Sequence, residues 1–274
     1  MDIFFHVGLG KTGSTYLQHK FFPFLKGIHY IHHTKYKKAL DIIGAKNHER
    51  YFVSREFDRQ FLDEIQKFAA RYPDTHPIMV LRRQDKWIAS QYRRLTKNGR
   101  GIYFNEFVNL ENNNGRWDIS EMEFYPKIKQ LEKYFTKKPL VLLYDELRTN
   151  PTQFFDKIAH YTQTTYNADQ ISLRPKHKSY SEKQLLAVRY YTRKWLRHID
   201  EQKLDSTQSG RRTRKIATHL IMYIHKLLPA KKYAAKPLIK PTELEAIQKH
   251  FEADWEKCVK YIEENAPNAG NEKS

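Results

Sequence analysis

Apolar residues in this chain gather into short uninterrupted runs, separated by longer stretches in which they recur every three or four positions. Residues 3–7, IFFHV, form the first run and stop at Gly8 and Gly10. From about Thr12 the spacing becomes helical, with Tyr16, Leu17, Phe21 and Leu25 on one face. RYFVS at 50–54 is the next run. Asp58 then stands as the cap of a helix with Phe61, Leu62, Ile65, Phe68 and Ala69 inward and Pro73 as its stop. PIMVLR at 77–82 precedes a helix carrying Ile88, Tyr92 and Leu95, and a helix over about 121–135 leads to PLVLLY at 139–144. After Asn150 and Pro151 a further helix carries Phe154, Phe155, Ile158 and Tyr161. Runs without polar alternation are buried on both faces. Their alternation with helices therefore predicts an α/β fold: a three-layer, doubly wound, mostly parallel sheet.

The pattern changes along the chain. A Gly- and Asn-rich loop from Asn98 to about Trp117 is interrupted by Tyr103, Phe104 and Phe107. Beyond about residue 181 the strand signal ends, and helices are expected over 181–200, 212–228 and 242–264. The expected organisation is one domain over 1–274, with an α/β core at 1–180 and a helical C-terminal extension at 181–274.

Composition narrows the partners. Lys and Arg number 49 against 31 Asp and Glu, a formal charge of +18 that favours polyanionic or phosphorylated partners over neutral ones. Cys258 is the sole cysteine, which excludes an intrachain disulfide and a cysteine-rich metal centre and suits a reducing compartment. The start, MDIFF, lacks the basic segment and apolar length of a signal peptide, and no apolar stretch is long enough to span a bilayer. The expectation is a soluble, cytoplasmic protein.

The stretch GLGKTGSTYLQ after the first strand is the strongest chemical signal. A triphosphate-binding loop needs a glycine five positions before Gly10, and that position is Phe5. What stands is a glycine turn, Lys11, and the hydroxyls of Thr12, Ser14 and Thr15 at a helix start. Successive N–H groups there favour a phosphate or sulfate. The bland alternative is a glycine turn with capping hydroxyls.

Gly10-Lys11-Thr12-Gly13-Ser14-Thr15-Tyr16-Leu17 resembles the 5′-phosphosulfate loop of the sulfotransferases that use 3′-phosphoadenosine 5′-phosphosulfate (PAPS), departing only where Gly10 replaces a proline. VLRRQDKWIASQYRR is similar to that family's 3′-phosphate segment, with Arg82, then Ser90 eight residues later and Tyr92 two beyond. Gln84 and Trp87 depart from the family pattern, and Arg83 is a further candidate for the phosphate. LVLLYDELRTNPTQFFDKIAHY matches a structural stretch of the same family, with Asp145 and Glu146 as loop-ordering residues, so the resemblance covers about residues 1–180.

The resemblance implies a PAPS-dependent sulfotransferase with a P-loop-like 5′-phosphosulfate loop, no metal, and Gly10, Lys11, Thr12, Gly13, Ser14, Thr15, Tyr16, Arg82 and Ser90 around the nucleotide. Lys11 would stabilise the departing phosphate. Glu56 in FVSREFD is the candidate general base, against a reading as an acid that merely favours a helix start. His32 and His33 in IHYIHH are the fallback base. A metal reading of those histidines is weak, because no Cys or carboxylate lies near them in sequence. In RPKHKSYS, Arg174, Lys176, Lys178 and Ser179 are candidates for the 3′-phosphate, against a solvated charge run.

The implied acceptor is a hydroxyl on a carbohydrate or lipid-linked saccharide, or on a small apolar alcohol such as a steroid or phenol. The 98–125 loop is expected to wall it, through Tyr103, Phe104 and Trp117. Residues 211–232 form a basic amphipathic helix with Ile216, Leu220, Tyr223, Ile224, Leu227 and Leu228 on one side, expected to pack on the domain, with peripheral contact to an anionic membrane as the other reading. A nucleotide kinase or NTPase is weakened by the missing glycine and by the lack of a clear Mg²⁺-binding Asp strand. A nucleic-acid-binding module has charge in its favour but no recognition motif.

Overall fold

The computed structural model describes residues 1–173, 180–196, 207–227 and 236–265. Its elements run β1 (Asp2–Gly8), α1 (Ser14–Lys20), β2 (His29–Ile31), α2 (Ala39–Gly44), β3 (Arg50–Ser54), α3 (Phe61–Ala69), β4 (His76–Leu81), α4 (Gln84–Lys97), α5 (Phe104–Phe107), α6 (Tyr125–Tyr134), β5 (Leu140–Leu143), α7 (Tyr144–Thr149), α8 (Pro151–Tyr161), α9 (Glu182–Leu196), α10 (Gln208–Leu227), α11 (Pro241–His250) and α12 (Glu252–Glu264). The chain divides into two compact units, Met1–Arg83 with Glu123–Lys176 and Glu252–Ser274, and Gln84–Met122 with His177–Phe251.

The first unit holds a five-stranded sheet in the order β2-β3-β1-β4-β5, every pair parallel. Strand pleating sorts the apolar runs onto two faces. Phe4, Phe52, Ile78, Val80, Leu140 and Leu142 pack with Leu17 and Phe21 of the α1 region and with Leu147, Phe154, Phe155 and Ile158 of α7 and α8. On the opposite face Phe5 meets Phe68 of α3 at 4.3 Å between ring centroids. α6 joins that layer, its Tyr134 hydroxyl accepting from Gln66 of α3 at 2.6 Å. α12 closes on α6, where the Asp254 carboxylate accepts the N–H groups of Phe124 and Tyr125 at 2.9 and 3.0 Å and so caps the helix start. The layers are the α/β arrangement the sequence predicts.

The second unit is helical over its described residues. Ala187 and Val188 of α9 pack on Ile221 and Met222 of α10. Arg189 of α9 donates to the Tyr92 hydroxyl of α4 and to the Leu238 carbonyl at 3.3 and 3.0 Å. Phe104 and Trp117, expected in an acceptor wall, are buried here together with Phe107, with Phe104 and Phe107 against Tyr92 and Trp117 edge-on to Trp87 at 5.0 Å. Tyr103 stays accessible, with the Arg193 guanidinium 4.1 Å from its ring centroid.

Other expectations shift for local reasons. Asp58 is not the cap of α3, which begins after Gln60 without a side-chain cap. Leu62 is turned outward, and the single helix expected over 242–264 is divided at Phe251. Ile216, Leu220, Tyr223, Ile224 and Leu227 of α10 are exposed, Tyr223 and Leu227 by 70% and 78%, while Thr218, Ile221, Met222 and His225 face inward. The apolar side expected to pack is thus the outer one; Leu228 lies outside the described residues.

Candidate functional site

A parallel sheet presents its ligand crevice at the carboxyl ends of strands whose following helices leave on opposite faces. Here that place lies beside β1, whose α1 packs on one face while α3, after β3, packs on the other. The turn from β1 to α1 therefore sits against the turn from β3 to α3. Arg55 and Phe57 donate their N–H groups to His6 and Val7 carbonyls at 2.9 and 3.3 Å, prolonging the pairing past the strand. A Cβ added to Gly8 would stand 3.4 Å from the Cα of Glu56, which places Glu56, half-buried, beside the entrance to the loop.

The loop is tightly self-bonded. The Thr12 and Ser14 hydroxyls both donate to the Leu9 carbonyl, at 2.6 and 3.0 Å, and both side chains are buried. These hydroxyls, expected as donors to a ligand, bond the turn to itself in this structure. Lys11 is held at φ 70° in the left-handed region, a conformation that costs a residue with a side chain about 1–2 kcal/mol. Gly13 follows at φ 86°, and a Cβ there would meet Leu147 Cδ2 at 2.7 Å and the Tyr144 ring at 3.2 Å. Gly13 thus answers both to its backbone angle and to the close approach of α7. Alternating left-handed residues such as these turn backbone N–H groups toward a common centre, a geometry suited to anions.

Arg82 reaches the loop from the end of β4. Its Nη1 donates to the Lys11 carbonyl at 3.5 Å, and its guanidinium lies 4.8 Å from the centroid of the Tyr144 ring. Tyr144 accordingly supports Arg82 and Gly13 together. The apolar run predicts it as the last residue of a strand, whereas it opens α7. Asp58 faces the loop from the other side, accepting the Gly10 N–H at 3.1 Å.

Tyr16 turns into the core, its ring stacked on Phe155 at 6.3 Å, and burial raises the pKa of its hydroxyl. Thr15 is exposed. Ser90 lies half-buried on α4 in the second unit. Arg174, Lys176, Lys178 and Ser179 lie outside the described residues. Behind the loop His6 is fully buried, its Nδ1 2.9 Å from Ser54 Oγ, which also accepts from Gln18 Nε2 at 3.1 Å. Burial pushes the His6 pKa down to about 3, so the ring is neutral at ordinary pH.

No family model matches the chain, and no curated protein matches it. Among solved structures it is similar to a sulfotransferase from Alicyclobacillus acidocaldarius, at 14% identity over 77% of this chain and 99% of that one, with a TM-score of 0.49. It is similar to mouse sulfotransferase SULT7A1 complexed with PAP, at 10% identity over 97% and 89% with a TM-score of 0.44. It is also similar to the sulfotransferase domain from the curacin biosynthetic pathway, at 11% identity over 92% and 97% with a TM-score of 0.40. At these identities and scores the likeness assigns no role to any residue.

Proposed function

We propose that this chain is a sulfotransferase that moves the sulfuryl group of PAPS onto an acceptor hydroxyl. The carrying observation is the junction of Lys11 and Arg82, in which the Arg82 guanidinium at the end of β4 donates to the Lys11 carbonyl in the turn after the central strand β1. In-line transfer leaves little covalent chemistry to the protein, which positions the partners and stabilises spread negative charge. The acceptor oxygen attacks sulfur, and the bond from sulfur to the 5′-phosphate oxygen breaks. Lys11 meets the charge that grows on that oxygen. Glu56 takes the hydroxyl proton, and 3′-phosphoadenosine 5′-phosphate and a sulfate ester leave. Arg82 is assigned to the 3′-phosphate, with Ser90 and the 174–179 segment as further candidates by resemblance. The acceptor class stays open between a carbohydrate and a small apolar alcohol.

The direct test is equilibrium binding of 3′-phosphoadenosine 5′-phosphate compared with ATP–Mg²⁺ and with duplex DNA. Preference for the bisphosphate is expected. Preference for ATP–Mg²⁺ would return the loop to the kinase or NTPase class, and preference for DNA would make the basic surface the functional one.

The outer face of α10 supports a peripheral contact with anionic membrane. Its exposed Leu220, Tyr223 and Leu227 share the helix with Arg211, Arg212, Arg214 and Lys215. Among the described residues no helix is long and apolar enough to cross a membrane. Co-sedimentation with anionic but not neutral vesicles, weakened in Leu220→Ser/Leu227→Ser, is the expected result. Equal recovery with both vesicle types would remove the contact.

A further inference from the structure

His32 and His33 are adjacent in sequence, and the fold brings a third imidazole to them. His19 lies in the last turn of α1, while His32 and His33 follow β2 at the carboxyl edge of the sheet. One ring nitrogen from each can be chosen so that all three lie within 4.8 Å of one another. Ring centroids are 4.0 Å apart for His32 and His33, 5.0 Å for His19 and His32, and 5.5 Å for His19 and His33. Among the described residues this is the one such group of three or more potential ligands.

We propose that His19, His32 and His33 bind a divalent transition metal of the zinc class, through three imidazole nitrogens with a further position for water. The ligand type selects the metal. An all-imidazole set suits Zn²⁺, Co²⁺, Ni²⁺ or Cu²⁺, whereas Mg²⁺ and Ca²⁺ require oxygen donors. Bonds of about 2.0–2.1 Å to a tetrahedral centre put ligand nitrogens roughly 3.3 Å apart. The observed spacing therefore closes by side-chain rotation, and all three residues are half-buried and reachable by ion and water.

The surroundings supply the orienting contact that metal-binding histidines use. His32 Nδ1 lies 2.9 Å from Thr34 Oγ1. With Nδ1–H donating to that hydroxyl, the Nε2 lone pair is the one offered to a metal. The same Nδ1 is 3.4 Å from the Thr34 N–H, a contact that belongs to the opposite tautomer, so metal loading selects between the two. The ligands come from two elements, so the bound ion would tie α1 to the end of β2. The sulfuryl-transfer reading takes no metal and uses His32 or His33 only as the fallback base, so the Co²⁺ and Tm signals report on this site apart from transfer.

The test uses the full chain, stripped with chelator and titrated with Co²⁺ as a spectroscopic probe, then with Zn²⁺ as competitor. One Co²⁺ per chain is expected, with visible absorption of four-coordinate type that Zn²⁺ abolishes, together with a rise in Tm on adding Zn²⁺. Both signals should disappear in His19→Ala and His32→Ala. Both should persist in His29→Ala/His48→Ala, which removes a stacked histidine pair with centroids 4.0 Å apart. Should circular dichroism show that His19→Ala does not fold, His33→Gln carries the same comparison. Absence of the Co²⁺ band overturns the proposal. So does its survival in a folded variant lacking one of the three ligands, or its loss in the His29/His48 variant.

Discussion

The backbone N–H of Gly10 donates to Oδ1 of Asp58 at 3.1 Å, joining the turn after β1 to the turn after β3. This bond accounts for the residue at which the loop departs from the sulfotransferase pattern. Proline has no N–H to give, and a Cβ at Gly10 would stand 3.0 Å from both Asp58 carboxylate oxygens. Gly10→Pro should therefore destabilise the protein, by about 1–3 kcal/mol for the deleted bond to a charged acceptor. Denaturant unfolding of Gly10→Pro and Asp58→Asn measures it. Asp58→Asn keeps an acceptor oxygen and should lose less, and equal stability of Gly10→Pro and wild type would show that the bond contributes nothing.

Lys11→Ala keeps the loop backbone, because Thr12 and Ser14, not the lysine side chain, bond the turn to Leu9. The substitution should leave the unfolding midpoint nearly unchanged while sulfuryl transfer falls by about 10²–10³, the scale for losing one group aimed at developing charge. Single-turnover transfer with labelled donor reads it. Turnover within a few-fold of wild type would take Lys11 out of the chemistry.

Glu56→Gln separates the base from the charge stabiliser. The side chain leaves the loop start between β3 and α3, and its amide form cannot take a proton. Binding of 3′-phosphoadenosine 5′-phosphate should match wild type while kcat drops by about 10²–10⁴. If kcat holds, Glu56 is a loop acid only, and the corresponding loss in His32→Gln or His33→Gln would identify the fallback base.

Support of the loop through the Lys11 carbonyl is separable from the 3′-phosphate recognition proposed for Arg82. Arg82→Lys retains a charge but loses the planar fork that lies over Tyr144. Affinity for 3′-phosphoadenosine 5′-phosphate should fall about tenfold or more, with little change for adenosine 5′-phosphate, which lacks the 3′ group. Parallel calorimetric titrations give the comparison. Equal losses for both nucleotides would make Arg82 a loop support alone.

Much of this was legible because four of the five strands are largely apolar runs. IFFHV, RYFVS, PIMVL and LVLL announce burial on both faces, and all four lie in the sheet. The edge strand His29–Ile31 was not legible, since three residues amid histidines carry no apolar run. The division of α11 from α12 at Phe251 has no Gly or Pro to announce it, and the apolar spacing continues through it. Lys11 and Arg82 could be named from the resemblance of their segments to the sulfotransferase pattern. Asp58 and Tyr144 could not, because their contacts with Gly10 and Gly13 are separated by more than forty residues of chain, and local propensity pointed to a helix cap and a strand end. His19 carried no local signal for the same reason, its partners lying beyond an intervening turn and strand.

Acid stability should expose His6. The folded state keeps this ring neutral down to about pH 3, whereas the unfolded chain takes up the proton near 6.5. The unfolded state therefore binds more protons throughout that window. The contribution of His6 is fully present above pH 6.5 and is lost as pH falls toward 3, with a slope approaching about 1.4 kcal/mol per pH unit for one proton. His6→Asn places a non-titrating amide near the Ser54 hydroxyl and should flatten the curve between those limits. Urea midpoints collected from pH 7 to pH 4 for both proteins supply the measurement. Parallel curves would mean that His6 takes up its proton at the same pH in the folded and unfolded chains.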